Sequence, residues 1–268
     1  MITQVLVLLG QLGFVFGVYK LSYAMTLVGR LVFGLGAESL GVAAAAIEAN
    51  WFRGKELSFA MTLEVSVSNI GAFSNNAAEP AIYESTNSLP YTFGIGFIVC
   101  IAAFIFTLIV LHFETKREAV SDQNPISTNS INLFNEVYNF PAAFWLLCFT
   151  IVAGTVPPML FTQIASEFFQ FNYNFGTQTT GSVIGIQSLT LACSAPFLGL
   201  FIDKYNNRIF LGKLHSNISL AIIGSVIYLL SFVYIYYLGS TLLEAIISVM
   251  IMGFCDGVLL AALWPAAS

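Results

Sequence analysis

Blocks of about twenty apolar residues recur along almost the whole chain, each long enough for a helix to cross about 30 Å of hydrocarbon. Lipid offers the backbone no hydrogen-bond partners, so each block must close its own bonds as a helix. A transmembrane barrel would instead show alternating strands of about ten residues. Composition points the same way. Hydrophobic residues make up 57% of the 268 residues and charged ones 9%, against roughly 25% charged in a soluble domain. That is too little polarity to cover a water-facing surface. The fold class expected is all-α and integral to the membrane: a multi-span helical bundle whose first partner is the lipid bilayer.

Eight spans are predicted, at roughly 2–19, 23–50, 57–83, 91–113, 141–168, 178–201, 212–237 and 241–265. The connections are short except for one hydrophilic stretch, 114–140. This divides the chain into a four-span segment, 1–113, a linker, 114–140, and a second four-span segment, 141–268. Arg53, Lys55, Lys116, Arg117, Lys204, Arg208 and Lys213 all fall in alternate connections, and only Lys20 and Arg30 fall elsewhere. Basic residues gather on the cytoplasmic side, so both ends of the chain are expected there. The sequon at Asn217, Ile218 and Ser219 then lies on the cytoplasmic side and is expected to carry no glycan. The first span lacks a basic start and a cleavage site, and reads as a retained helix.

Several function classes drop out. No basic stripe suggests nucleic acid, and the net charge of -5 names no partner. Cys100, Cys148, Cys193 and Cys255 sit within apolar runs without metal-type spacing, and read as small packing residues. No nucleophile–base pair, phosphate loop or metal cluster stands out, so neither an enzyme nor a cofactor is expected. Gly13-x-x-x-Gly17 and Gly181-x-x-x-Gly185 read as helix-packing notches.

Ionisable residues inside a span cost roughly 2.5–3.5 kcal/mol on insertion scales and mark function by default. The third span is the most polar, with Glu64, Ser66, Ser68, Asn69, Ser74, Asn75, Asn76 and Glu79. Glu64, Ser68, Asn75 and Glu79 fall near one stripe at helical spacing. Such a stripe either lines an aqueous cavity or holds neighbouring helices by hydrogen bonds. Glu38 lies thirteen residues before Trp51, or about 20 Å along a helix, and so near mid-membrane, as does Asn69. Asp256 lies between Gly253 and Gly257 in the last span, where cavity lining, proton coupling or a helix–helix hydrogen bond are the alternatives. Arg30, near the other face of the membrane, suits gating, proton handling or snorkelling to the interface.

Four segments resemble the major facilitator superfamily. Arg30-Leu31-Val32-Phe33-Gly34-Leu35-Gly36 is similar to the R-x-x-x-G-x-G pattern of that family's fourth helix. Gly199 to Arg208 resembles its cytoplasmic G-x-x-x-D-[RK]-x-G-R-[RK] loop, with Asn206 where glycine is usual. The 114–140 stretch sits where the family joins its two six-helix halves. Gly34 to Leu40, Trp51 to Leu57 and Ala262-Leu263-Trp264-Pro265 resemble the lysosomal dipeptide-transporter branch. The resemblance implies helices three to ten of a twelve-helix fold, an incomplete bundle, and a chain that is a piece of a longer one. It implies alternating-access transport of a small polar solute, with short peptides or amino acids favoured. A sugar or organic-anion carrier and a non-transporting membrane subunit are the alternatives. It also implies a lysosomal or other endomembrane location, with the plasma membrane the alternative, and a glycosylated single-span accessory protein. Glu38 matches a glutamate associated with the substrate's amino group, and Asn69 stands where the branch has an arginine suited to a carboxylate. Gly199, Asp203 and Arg208 take the place of a conformational latch, a gating role.

Overall fold

The computed structural model describes residues 1–52, 57–120, 142–206 and 213–267. They form eight α-helices and no strand: α1 (Ile2–Tyr19), α2 (Tyr23–Trp51), α3 (Leu57–Thr86), α4 (Leu89–Val120), α5 (Ala142–Tyr173), α6 (Thr177–Asn206), α7 (Lys213–Tyr237) and α8 (Leu242–Ala267). Each predicted span has its helix. Six are long and apolar enough to cross a bilayer; α3 is not among them, and the apolar stretch Ala221–Tyr237 of α7 is shorter. The polar residues that single out α3 in the sequence are also what lower its hydropathy.

Helix ends run further than hydropathy suggests. α4 continues to Val120, seven residues into the predicted linker. Glu114, Lys116, Arg117, Glu118 and Ala119 are good helix formers, so the helix outlasts its apolar stretch. α5 likewise runs to Tyr173, which leaves three residues before α6. Arg53, Lys55, the remainder of the linker and Arg208 lie outside the described residues, as do the side chains of Asp203, His215 and the sequon.

Local chemistry sets the tight turns. α1 ends in a Schellman-type closure in which the Ser22 N–H donates to the Gly17 carbonyl at 2.9 Å. Leu21 holds the left-handed position at φ 52°, where a side chain costs about 1–2 kcal/mol. Asn87 and Asn174 hold the same conformation after α3 and α5, which suits asparagine better. α8 opens with a capping box: Glu244 Oε2 accepts the Ser240 and Thr241 N–H groups, while the Glu244 N–H donates to Thr241 Oγ1.

By packing, the helices form two compact units. The first holds α1, α2 to Ala46, and α4. Its helices meet through glycines: a Cβ at Gly17 would lie 2.6 Å from the Thr26 nitrogen, and one at Gly36 would lie 2.7 Å from the Thr3 carbonyl oxygen. The Gly13-x-x-x-Gly17 stretch is therefore a packing notch. Phe14 meets Phe93 edge-on at 4.9 Å, and its ring carries the Arg30 guanidinium at 4.0 Å.

The second unit holds α3 to Ala81 with α5–α8. Its core gathers Phe161, Ala165, Phe169, Val183, Ile235, Val249 and Met252, all nearly inaccessible. Phe161 packs edge-on against Phe169 and Phe232, and the Tyr173 hydroxyl donates to the Ile235 carbonyl at 2.8 Å. This aromatic nest ties α5 to α7. Outward faces of both units carry large apolar side chains such as Leu31, Ile98, Phe106, Phe149 and Leu230. No soluble surface tolerates so continuous an apolar exterior; lipid does.

Candidate functional site

Two glycine notches build the site, both within the second unit. On α6, a Cβ at Gly181 would lie 2.5 Å from the Asn76 carbonyl oxygen, and one at Gly185 would lie 3.1 Å from the Phe73 ring. Only glycine lets α3 close down this far. The Ser66 hydroxyl, buried, donates to the Ala192 carbonyl and fixes the same pair of helices. On α8, a Cβ at Gly253 would collide with the Gln187 carbonyl oxygen, and one at Gly257 would lie 2.8 Å from Ser194 Oγ. These glycines bring Asp256, between them in sequence, against α6.

There Gln187 Nε2 donates to Asp256 Oδ2 at 2.9 Å. Asp256 is 9% exposed, and its Oδ1 is buried with no hydrogen-bond partner. The Tyr228 hydroxyl, on α7, is also buried without a hydrogen bond. The pair stands in the wall of a cleft of about 400 Å3 between α3, α5, α6 and α8, whose polar lining is Asn69, Asn76, Thr155, Thr162, Gln187, Ser188 and Asp256. That volume lies in the range of small-molecule sites, about 300–1,000 Å3. A neighbouring cavity of about 430 Å3 against Phe161 and Phe232 is almost wholly apolar.

α5 contributes through its prolines. Pro157 and Pro158 lie inside the helix. A proline has no N–H to give to the carbonyl four residues earlier, so Gly154, which lines the cleft beside Pro158, keeps a carbonyl without its helical donor. Thr155 and Thr162 turn their hydroxyl protons back to the Ile151 and Pro158 carbonyls, at 2.8 and 2.6 Å.

Of the residues singled out in the sequence, the structure brings Asn69, Asn76 and Asp256 to this one cleft. Glu64, Ser68 and Asn75 lie on the adjacent face of α3 and are exposed, with Asn75 Nδ2 donating to Glu79 Oε2 at 3.1 Å. Glu38 and Arg30 are exposed on α2. Gly199 is buried near the end of α6. Sequence reasoning missed Gln187, Ser188, Thr155 and Thr162. Gln187 carried a usable signal: an amide in the middle of the apolar run Val183 to Leu191 needs a partner at that depth. The threonines carried none, since threonine bonds its own helix anywhere in a membrane.

The profile of the Major Facilitator Superfamily matches residues 1–268. Among curated proteins, the chain is similar to the lysosomal dipeptide transporter MFSD1 of Danio rerio, 28% identical over 98% of this chain and 57% of that protein. It is similar to the Bos taurus protein of the same name, 27% identical over 97% of this chain and 55% of that protein. The Homo sapiens protein is 26% identical over 97% of this chain and 55% of its own length. The chain thus spans little more than half the length of these relatives. With a match from end to end, eight helices of which six are long and apolar enough to cross a bilayer, and a polar cleft within the second unit, the chain belongs to the major facilitator superfamily.

Proposed function

We propose that the chain carries part of the pathway of a transporter that moves a small polar solute across a membrane by alternating access, with short peptides or amino acids as substrates. The observation that carries this reading is the cleft itself. Amides, hydroxyls and a buried carboxylate gather in one hollow of a bundle whose exterior is apolar. Polar groups are costly in a membrane unless water or a solute meets them, and facilitator sites lie at this depth. The relatives' name, lysosomal dipeptide transporter, supports the substrate class and a lysosomal or other endomembrane location. An accessory protein belongs to the same proposal. Glu38 is proposed as a substrate contact, Arg30, Gly199, Asp203 and Arg208 as gating groups, and 114–140 as the join between the two halves named by the sequence. Transport, not catalysis, is the activity proposed.

Counterflow in proteoliposomes tests it. Liposomes containing the full chain and loaded with unlabelled dipeptide should accumulate labelled dipeptide with saturable kinetics, and Glu38→Gln should cut that flux about tenfold, the scale of losing one charge-assisted contact. Flux of sugars or organic anions but of no peptide or amino acid would overturn the substrate class.

A further inference from the structure

We propose that the apolar cavity between α5, α7 and α8 is a binding site for one acyl chain of a membrane lipid, which enters from the bilayer. The proposal is independent of the transport reading and of what the polar cleft holds.

Shape and lining select the occupant. The cavity, of about 430 Å3, runs along α5 from Ala153 to Ile164 and along α7 from Ser225 to Phe232, with Leu259 of α8 between them. At the rise of an α-helix the α5 stretch is about 16 Å long. A volume near the small end of ligand sites is thus drawn out into a slender channel, which suits a single flexible chain. Small residues make the room: Ala153 and Gly154 on α5 and Ser225 on α7 stand where larger side chains would fill it.

Only two lining side chains are polar, and neither serves the hollow. The Ser225 hydroxyl donates to the Ala221 carbonyl of its own helix at 2.9 Å. Tyr228 turns its ring to the cavity, while its hydroxyl stands beside Gln187 and Asp256. Water entering here gives up hydrogen bonds and finds few in return. Hydrocarbon gives up none, and supplies the Phe161 and Phe232 rings with dispersion contacts.

The bilayer offers that hydrocarbon at the entrance. Leu160, Ile164 and Leu229 line the cavity and are also 61%, 53% and 60% exposed on the apolar exterior. The hollow is therefore continuous with the face that meets lipid, whereas Phe161 in its wall is only 4% exposed. Gly154, Pro158 and Leu259 line the polar cleft as well. A seated chain thus backs one wall of that cleft, next to the proline break in α5.

A phosphatidylcholine with a diazirine midway along one acyl chain tests the site. The full chain is reconstituted in phosphatidylcholine vesicles that carry a small fraction of this lipid. After irradiation, labelled residues are mapped by mass spectrometry. Lipid that only coats the exterior labels Phe149, which is exposed and outside the cavity. A chain seated in the cavity labels buried Phe161 at least as strongly. Ser225→Leu, which adds bulk to the wall, should cut Phe161 labelling at least about fivefold, the scale of mild overpacking, and leave Phe149 labelling unchanged. Ala153→Leu decides the matter in the same way if Ser225→Leu does not fold. Labelling of Phe149 without Phe161 would overturn the site, whether the hollow is dry, wet or covered by a second copy of the chain. Labelling of Phe161 that survives a filling substitution in a folded protein would overturn it too.

Discussion

At the scale of single residues, the pair Gln187 and Asp256 is the most informative. It joins α6 to α8 through one hydrogen bond and leaves one carboxylate oxygen unmet. Gln187→Leu removes the only hydrogen-bond donor to Asp256 among the described residues, and an unsatisfied buried group costs about 1–3 kcal/mol. The expected outcome is a lowered melting temperature in detergent, with much of the loss recovered in Gln187→Leu/Asp256→Leu, because replacing both partners by apolar groups can be nearly neutral. Leu21 gives a prediction of opposite sign. It is 91% exposed at φ 52°, so Leu21→Gly relieves strain and should leave the protein equally or slightly more stable, by up to about 1 kcal/mol. Thermal unfolding of the two variants side by side checks both. Asp256 was legible in the sequence because a lone carboxylate deep in an apolar run demands an explanation. Its partner was not singled out, because which amide on another helix meets it depends on how the helices pack.

At the scale of elements, the cleft is a product of glycines. Gly181 and Gly185 admit α3, and Gly253 and Gly257 admit α8. Gly181→Val places methyl groups where the Asn76 backbone now lies, and overpacking of this kind typically costs about 1–3 kcal/mol. It should push α3 away from α6 and abolish ligand binding more completely than Ser68→Ala, whose side chain lies on the exposed face of α3. Ligand binding to the two purified variants, measured side by side, checks this. The helices were legible because apolar runs of fixed length have only one solution in lipid. Their ends were less so: α4 outruns its apolar stretch through good helix formers, and α5 runs on to Tyr173 where Phe169 and Tyr173 pack into the core. The polar stripe on α3 was visible as a stripe, yet packing puts the neighbouring face, Asn69 and Asn76, on the cleft. Helical spacing says which residues share a face, and not which face a neighbour covers.

At the scale of the whole molecule, family and architecture follow from one physical demand, that backbone and polar side chains be satisfied at bilayer depth. Apolar faces meet lipid, glycine notches join helices, and the amides and carboxylate that remain need something other than hydrocarbon. The central claim is therefore that the hollow beside Asn76 and Asp256 holds water and solute. Asn76→Cys, in a background with Cys100, Cys148, Cys193 and Cys255 replaced by alanine, tests it with a membrane-impermeant thiol reagent. The account predicts that Cys at position 76 reacts readily in proteoliposomes and is protected by a ligand of the cleft, while Cys at the lipid-facing position Phe149 stays inert. Equal inertness at both positions, in a folded protein, would mean that the hollow is dry and that the account is wrong.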